Sequence, residues 1–294
     1  MSRRPTFLAA GLAALAFVAG ACGDTKESTA TSDTTTTMPG SATKACAPAD
    51  LTLKTAGKLT VATGEPVFEP WASDDDPTNG KGYEVGMVYG IAEQLGIDKA
   101  DVTWVRTGFD EAVAPGEKTF DFNVQQFSIS DERKQVVDFS DGYYTVQQAI
   151  IGQADGKFAN AKNLAELKDA RMGAAIGTTS LDYIENYIKP SAQALVFDDN
   201  AAAKAAFDAN QVDAIVFDLP TAYYITSVEI KGSSIIGILP QQGDAEELGA
   251  LFEKGSSLVP CVNKAIGTLS ENGTLEKLQA EWLAQGGDIP TLEK

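Results

Sequence analysis

Apolar and polar residues alternate along several short stretches of the chain, which is the period of a β-strand with one buried face. Residues 59–63 have this pattern; residues 102–105, 120–127 and 172–176 are also interpreted as strands, and residues 214–217 form a short, wholly apolar run. A different period follows the first of these stretches. Apolar residues at i, i+3, i+4 and i+7 with a glycine after them predict an amphipathic helix and its end, at Val88, Ile91, Ala92, Leu95 and Gly96.

Helical patterns also separate the later strands. Leu181, Ile184 and Ile188 indicate one helix, and residues 201–207 indicate another. Near the end, Asn272 and Gly273 predict a turn, after which a terminal amphipathic helix is marked by Leu275, Leu278, Trp282 and Leu283. Because strands and helices alternate, we predict an α/β fold with parallel sheets covered by helices.

Composition and charge narrow the possible functions. The chain has 294 residues, 44% hydrophobic and 22% charged, which is typical of one large or two medium domains. Its net charge of −18 disfavours nucleic acid as a partner, because the field repels phosphate. Histidine does not occur in the sequence. Ser-His-Asp and Cys-His nucleophile arrangements and the usual zinc ligands are therefore excluded.

The first 22 residues have the pattern of an export signal. Arg3 and Arg4 precede an apolar run at residues 7–18, which is too short for a comfortable membrane span, and small residues lead to Cys22. This segment resembles a bacterial lipoprotein signal peptide, which implies that Cys22 is lipidated. The alternative is a free thiol beside an ordinary secretory cleavage site.

Residues 23–45 are rich in Thr and Ser and nearly lack large apolar side chains. We predict a disordered tether, because such a segment cannot offset the entropy of ordering itself. Beyond it remain Cys46 and Cys261, and an even count in an oxidising compartment predicts a disulfide between them. Two buried thiols are the alternative.

A cation stands inside a hydroxyl-rich and acidic segment, SISDERKQVVDFSDGYY, at residues 128–144. Arg133 is flanked by Ser128 and Ser130, and a guanidinium fits a carboxylate with two parallel hydrogen bonds. The segment could thus hold a small acid. Alternatively, Arg133 pairs with a neighbouring acid on the surface.

Three further stretches could belong to a site. Residues 177–180, Gly-Thr-Thr-Ser, lie between a predicted strand and helix, where free N–H groups bind anions or a hydroxyl simply caps the helix. Asp218 ends an apolar strand, at the edge where ligands of parallel sheets lie, and it could equally cap the next helix. Phe68 and Trp71 place two aromatics on a loop after the first strand.

The acidic stretch at residues 73–80 invites a metal hypothesis. Neither possible register of the calcium-binding loop places its glycine and its bidentate glutamate correctly. We therefore interpret the stretch as a solvated turn and predict neither a metal nor a cofactor.

Taken together, these stretches resemble the extracellular solute-binding proteins of ABC importers, in their polar amino-acid branch. The resemblance is carried by KLTVAT with the Phe68 loop, KGYEVGMVYGIAEQLG, SISDERKQVVDFSDGYY, NLAELKDARMGAAIGTTSLDYI and QVDAIVFDLPTAYY, in that order. It implies a two-lobe, type II periplasmic-binding-protein-like fold with two crossover strands. Lobe 1 would hold residues 46–146 plus 240–294, and lobe 2 residues 147–239.

The resemblance also implies roles for individual residues. Arg133 would clamp the α-carboxylate of an amino acid, helped by Ser128, Thr178 and Thr179, and Asp218 would bind the α-ammonium. Aromatic rings would sandwich the ligand's side chain, at Phe68 and Phe109.

Departures from the family pattern bear on specificity. The chain has Gln125 and Gln126 where relatives have smaller residues, and Ala175 where some have lysine. Gln126 could bond a polar side chain or simply fill space. With no second mapped cation in the pocket, we predict a ligand of the glutamine or glutamate kind. A basic ligand is the alternative if Glu65 and Glu84 face the cleft.

The family further implies a monomer without catalytic residues, anchored by lipid to the outer face of the cytoplasmic membrane and working with a cognate ABC permease. Two alternatives stay open. Some enzymes share this fold, including dehydratases of cyclic acids, in which Glu65 or Glu84 would serve as general acid. A surface sensor or adhesin would use the same tether and fold without import.

Overall fold

The computed structural model describes residues 46–283 and 288–294. The predicted signal peptide with Cys22 and the predicted tether at residues 23–45 lie outside the described residues. In the part of the chain that is described, no helix has the length and apolar character needed to cross a bilayer.

Strands and helices alternate as the hydrophobic pattern predicts. The strands are β1 (Leu59–Thr63), β2 (Val102–Arg106), β3 (Phe122–Asn123), β4 (Val137–Phe139), β5 (Tyr144–Val146), β6 (Gln148–Gln153), β7 (Met172–Ala175), β8 (Leu195–Phe197), β9 (Ala214–Asp218), β10 (Ser233–Ile238), β11 (Glu246–Leu248) and β12 (Leu251–Glu253). The α-helices are α1 (Tyr83–Gln94), α2 (Phe109–Val113), α3 (Thr179–Tyr183), α4 (Asn200–Asp208), α5 (Leu219–Tyr224), α6 (Val259–Glu271) and α7 (Thr274–Trp282).

The first lobe is built on a five-stranded sheet in the order β2-β1-β3-β12-β4. Its first three strands are parallel, and β12 pairs antiparallel with both β3 and β4. Helices α1, α6 and α7 pack on one another beside it. The predicted helix is confirmed as α1, which buries Met87, Val88 and Ile91 in the core, and the chain leaves it through Gly96 at a φ of 70°.

The second lobe is built on a five-stranded sheet in the order β10-β6-β9-β7-β8. β7 is parallel to β8 and β9, whereas β6 is antiparallel to β9 and β10. Both sheets are therefore mixed, unlike the parallel sheets that strand-helix alternation predicts. The antiparallel strands β6 and β12 directly follow the two passages between lobes, and a strand entering from the other lobe is not bound by the right-handed helical crossover that makes neighbours parallel.

Two short strands join the lobes and pair with each other. β5 and β11 form an antiparallel ribbon in which Glu246 lies opposite Val146 and Leu248 opposite Tyr144. They are the two crossover strands of the predicted type II fold.

The C-terminal residues differ from the predicted lobe division, which assigned residues 240–294 to lobe 1. Thr291 and Glu293 form β-bridges with Ile238 and Asn163, and Leu292 is buried in the core of the second lobe. Gly237 makes room for it, since a Cβ there would lie 2.8 Å from the Leu292 side chain. The burial of Leu292, the packing of Ile289 and the backbone hydrogen bonds of residues 290–293 together hold the end of the chain on lobe 2.

A disulfide joins Cys46 to Cys261, as predicted. Cys261 is buried within α6, and the bond ties the first described residue to a helix 215 positions further along. It therefore fastens the start of the domain to the first lobe.

Candidate ligand-binding site

A cavity of about 150 Å³ lies where the loops after the strands of both sheets meet. All eight residues predicted to bind a ligand line it: Phe68, Phe109, Gln126, Ser128, Arg133, Thr178, Thr179 and Asp218. The first five come from the first lobe and the last three from the second. The fold thus brings together stretches that are up to 150 positions apart in the sequence.

Arg133 begins a short 3₁₀ helix and is 8% exposed. Its two terminal nitrogens donate to the carbonyl oxygens of Ser128, at 2.7 Å, and of Gly177, at 2.8 Å. The guanidinium also lies over the ring of Phe109, 5.2 Å from its centre. Burial lowers the pKa of Arg133, and nearby acids, of which Glu246 acts most strongly, counter this effect. Arg133 is therefore a buried cation that bridges the lobes, and the surface-pair alternative is wrong.

The turn after β7 requires its glycine. Gly177 has a φ of 70°, in the left-handed region that other residues rarely adopt, and a Cβ there would also meet Oδ1 of Asp110 in the first lobe. Thr178 caps the helix that follows, since its hydroxyl accepts from the N–H of Leu181 and donates to the carbonyl of Ala175. The capping alternative therefore holds for Thr178, although the residue also lines the cavity.

Asp218 ends β9 and makes no capping hydrogen bond to the helix that follows, so the alternative of a helix cap is wrong. Its carboxylate accepts one hydrogen bond, at 2.6 Å, from the side-chain amide of Gln148 on the neighbouring strand. Removal from water raises the pKa of Asp218 to about 8, and the charges of Glu246 and Glu84 act in the same direction. The exposed part of the side chain faces the cavity. A cation that binds in the cavity would stabilise the ionised form of this carboxylate.

Two side chains behind the cavity were not identified from the sequence. Gln148 is 5% exposed, and its amide joins Ser180, Asp218 and Glu246. Its signal in the sequence was a pair of polar residues, Gln147 and Gln148, directly before the apolar run of β6. Glu246 had no such signal, because only the pairing of β11 with β5 brings it near the cavity.

The strand order of the second sheet places acids on both sides of the Gly177 turn. Asp218 ends β9, and Asp198 and Asp199 follow β8, with β7 between these two strands. Two strand spacings separate the two edges by about 10 Å. Asp199 caps α4, whereas Asp198 has no hydrogen-bond or ion-pair partner among the described residues. Both line the cavity.

The first lobe contributes further acceptors. Glu65 lines the cavity and has no partner among the described residues. The side-chain oxygen of Gln125 is buried there without a hydrogen-bond partner. Of the described residues that line the cavity, Arg133 is the one cation, against the acids Glu65, Asp198, Asp199 and Asp218.

Gln126 forms hydrogen bonds with Glu84 in its own lobe. It has a φ of 52°, and both its backbone N–H and its side-chain amide donate to Glu84, at 2.8 and 2.5 Å. Glu84 also accepts from the hydroxyl of Tyr143, and its burial raises its pKa to about 7. Glu84 is 2% exposed and does not line the cavity, so it does not face the cleft as the alternative of a basic ligand supposed.

The aromatic loop after β1 divides between the core and the cavity. Phe68 lines the cavity, whereas Trp71 is fully buried and packs edge-on against Tyr83 and Tyr144. The indole N–H of Trp71 donates to the hydroxyl of Thr221 in the second lobe, at 2.8 Å. This bond is a second polar contact between the lobes.

The acidic stretch at residues 73–80 forms turns and a short 3₁₀ helix capped by Asp76. Asp75 forms an ion pair with Arg106. Within residues 46–283 and 288–294, no cluster of three or more acidic or cysteine side chains could hold a metal ion.

Comparisons with known proteins agree with this geometry. The profile of the bacterial extracellular solute-binding proteins, family 3, matches residues 59–285. The L-cystine-binding protein TcyJ of Escherichia coli K12 is 26% identical over 241 residues, which are 81% of this chain and 86% of that protein.

Solved structures are similar as well. An ancestral arginine-binding protein, bound to arginine in one structure and to glutamine in another, is 29% identical with a TM-score of 0.66, covering 78% of this chain and 99% and 98% of those chains. The ancestral amino-acid-binding protein AncCDT-1, a precursor of cyclohexadienyl dehydratase, is 28% identical with a TM-score of 0.66, covering 78% of this chain and 96% of its own.

Proposed function

This chain belongs to the bacterial extracellular solute-binding proteins of family 3, and on that premise we propose that it captures a free amino acid between its lobes and delivers it to an ABC importer. The observation that carries the proposal is the pair of opposite charges, Arg133 and Asp218, which line one cavity from opposite lobes. Lipid on Cys22 would hold the protein, as a monomer, at the outer face of the cytoplasmic membrane beside its permease.

A zwitterion loses water from both of its charges when it enters such a cavity, so each charge needs an opposite partner. A guanidinium has more N–H donors than the two that Arg133 uses on carbonyl oxygens, and the rest are available to the α-carboxylate. Asp218 has one donor from Gln148 and would accept from the α-ammonium. Since the charges belong to different lobes, the ligand would favour the closed state.

The residues around the cavity also indicate the charge of the ligand's side chain. We propose a side chain that donates hydrogen bonds and carries a positive charge, as in arginine, in place of the glutamine or glutamate kind expected from the sequence. Glu65, Asp198 and the orphan oxygen of Gln125 all offer acceptors. Glutamate would bring a second negative charge toward these acids, and Gln126, which was expected to bind it, donates to Glu84 instead. Of the relatives named above, TcyJ binds cystine, and the ancestral protein is bound to arginine in one structure and to glutamine in another; cystine and arginine have a second cationic nitrogen, and glutamine does not.

Calorimetric titration of the chain from Gly23 onward tests both levels of the proposal. L-Arginine and L-citrulline have nearly the same shape, but citrulline lacks the charge. We expect arginine to bind tighter than citrulline by about ten-fold, the value of a charge-assisted hydrogen bond, and L-glutamate to bind more weakly than either.

Matched variants locate the effect. Asp198→Asn should narrow the difference between arginine and citrulline, whereas Asp208→Asn, an exposed acid at the end of α4, should leave it unchanged. Tightest binding of glutamate would reverse the side-chain assignment. Absence of binding for every common amino acid would sink the proposed function itself.

One neighbour supports the enzyme alternative, since AncCDT-1 is a dehydratase precursor. Glu84, one of the two candidate general acids, accepts hydrogen bonds from Gln126 and Tyr143 within its own lobe and does not line the cavity. Glu65 does line the cavity. Amino-acid binding fits the geometry better than catalysis does, because the opposite charges of Arg133 and Asp218 are complementary to the two charges of an unreacted zwitterion.

A further inference from the structure

Glu246 joins the two lobes from a crossover strand. Its Oε1 accepts a hydrogen bond from Ser128 Oγ in the first lobe, at 2.5 Å, and from Thr179 Oγ1 in the second, at 2.7 Å. The side-chain amide of Gln148 lies 3.4 Å from both oxygens of the same carboxylate. Groups from both lobes thus converge on one carboxylate of β11.

The position of Glu246 is behind the cavity and outside it. Glu246 lines a second cavity, of about 500 Å³, next to the crossover strands, and does not line the cavity that contains Arg133. Ser128 and Thr179 line both cavities. Their hydroxyls therefore form part of the wall between the ligand cavity and Glu246.

Counting protons fixes the polarity of that wall. A hydroxyl has a single proton to donate, and a carboxylate can only accept. Ser128 and Thr179 both donate their hydroxyl proton to Glu246. Toward the ligand cavity, their oxygens then present lone pairs and can only accept hydrogen bonds.

We propose that Glu246 is a positioning residue, which orients the Ser128 and Thr179 hydroxyls so that they receive the ligand's α-ammonium together with Asp218. This inference rests on the proposed amino-acid binding. The sequence resemblance implied that Ser128 binds the ligand's α-carboxylate, whereas this inference assigns the Ser128 hydroxyl to the α-ammonium. An ammonium has three N–H donors, and Asp218, Ser128 and Thr179 offer one acceptor group for each. The carboxylate is left to Arg133.

The role of Glu246 can be separated from a merely structural one with a pair of ligands. L-Arginine and 5-guanidinopentanoate differ only in the α-ammonium. In Glu246→Ala the two hydroxyls are free to turn and donate to a carboxylate. We define the ratio as the affinity for L-arginine divided by the affinity for 5-guanidinopentanoate. Measured by calorimetry, this ratio should fall by about ten-fold in Glu246→Ala, which is the value of a hydrogen bond to a charged group. A structural defect would weaken both ligands equally and leave the ratio unchanged.

Two further variants complete the test. Glu246→Gln keeps an oxygen that accepts from both hydroxyls, so it should retain the wild-type ratio. If the alanine variant fails to fold, Glu246→Leu takes its place, since it fills a similar volume without an acceptor and should lower the ratio in the same way. Glu247→Ala removes an exposed acid from the next position of the strand and should behave as wild type.

The outcomes separate the two proposals. An unchanged ratio in Glu246→Ala overturns the inference, and so does a glutamine variant that loses the ratio, since charge and not hydroxyl orientation would then be responsible. In both cases amino-acid binding by the wild type would stand. A wild-type chain that binds neither L-arginine nor any other amino acid overturns the proposed function and this inference with it.

Discussion

Glu84 and Asp218 are both carboxylates taken out of water, one in each lobe, and their surroundings differ. Glu84 accepts three hydrogen bonds from Gln126 and Tyr143, all inside the first lobe. Asp218 accepts one, from Gln148, and its remaining surface faces the cavity. Burial raises the pKa of both, to about 7 for Glu84 and to about 8 for Asp218.

The difference separates a structural acid from a binding acid. A buried carboxylate is costly unless hydrogen bonds or a charge compensate it. The fold supplies this compensation to Glu84, which holds the left-handed Gln126 in place. Asp218 is under-compensated, so a ligand cation can stabilise it. A raised pKa alone would not have told the two apart; the number of donors does.

The largest expected effect is on ligand binding by Asp218→Asn. This change leaves the ammonium without its charged partner, and we expect binding to weaken by about 2 to 5 kcal/mol, or roughly 30-fold to 4000-fold. Glu84→Gln, which removes the same charge from the other lobe, should change affinity by less than about three-fold, since its oxygen still accepts from Tyr143 and the Gln126 backbone. Calorimetry on both variants decides the matter, and equal losses would erase the distinction.

The next effect concerns fold stability and reverses the order of the two residues. Glu84→Ala leaves the Tyr143 hydroxyl and the Gln126 N–H buried without an acceptor, at a cost of about 1 to 3 kcal/mol for each. Asp218→Ala removes an under-compensated carboxylate and should leave the unliganded protein as stable as wild type or more so. Urea unfolding measures both free energies. A larger loss of stability in Asp218→Ala than in Glu84→Ala would contradict the assignment.

The smallest effect is the dependence of binding on pH. Because the pKa of Asp218 is raised from 3.8 to about 8, the unliganded fold holds this proton more tightly than the unfolded chain does. The resulting stabilisation is complete below pH 3.8 and is lost as the pH rises through about 8. The ligand's ammonium pairs with the ionised form of Asp218, so binding should release a proton from this residue. As the pH rises toward the pKa of Asp218, affinity should increase by up to about ten-fold for each pH unit.

Calorimetry in buffers of different ionisation enthalpy counts the released proton. We expect close to one proton for wild type near neutral pH and none for Asp218→Asn. Glu84→Gln should still release a proton, in a somewhat smaller number, because the charge of Glu84 is one of the groups that raise the pKa of Asp218. Proton release that persists in Asp218→Asn would assign the titration to another group.

The sequence alone determined much of the fold and one side of the site. Strand and helix periods predicted β1, β2, β7, β9, α1 and α7, because burial of one face leaves a local pattern in the chain. The ordered motifs identified Arg133, Thr178, Thr179 and Asp218, and all four residues line one cavity. The even count of exported cysteines predicted the bond between Cys46 and Cys261.

Only the tertiary structure decided how these groups are compensated. The number of hydrogen bonds to Glu84 and Asp218, the commitment of Gln126, the position of Glu246 and the return of Leu292 to the second lobe all depend on residues far apart in the chain. A short motif carries no information on which distant donor will reach it. Strand pairing and the closure of two lobes make that choice, because they fix distances of a few ångströms between residues that the sequence separates by more than a hundred positions.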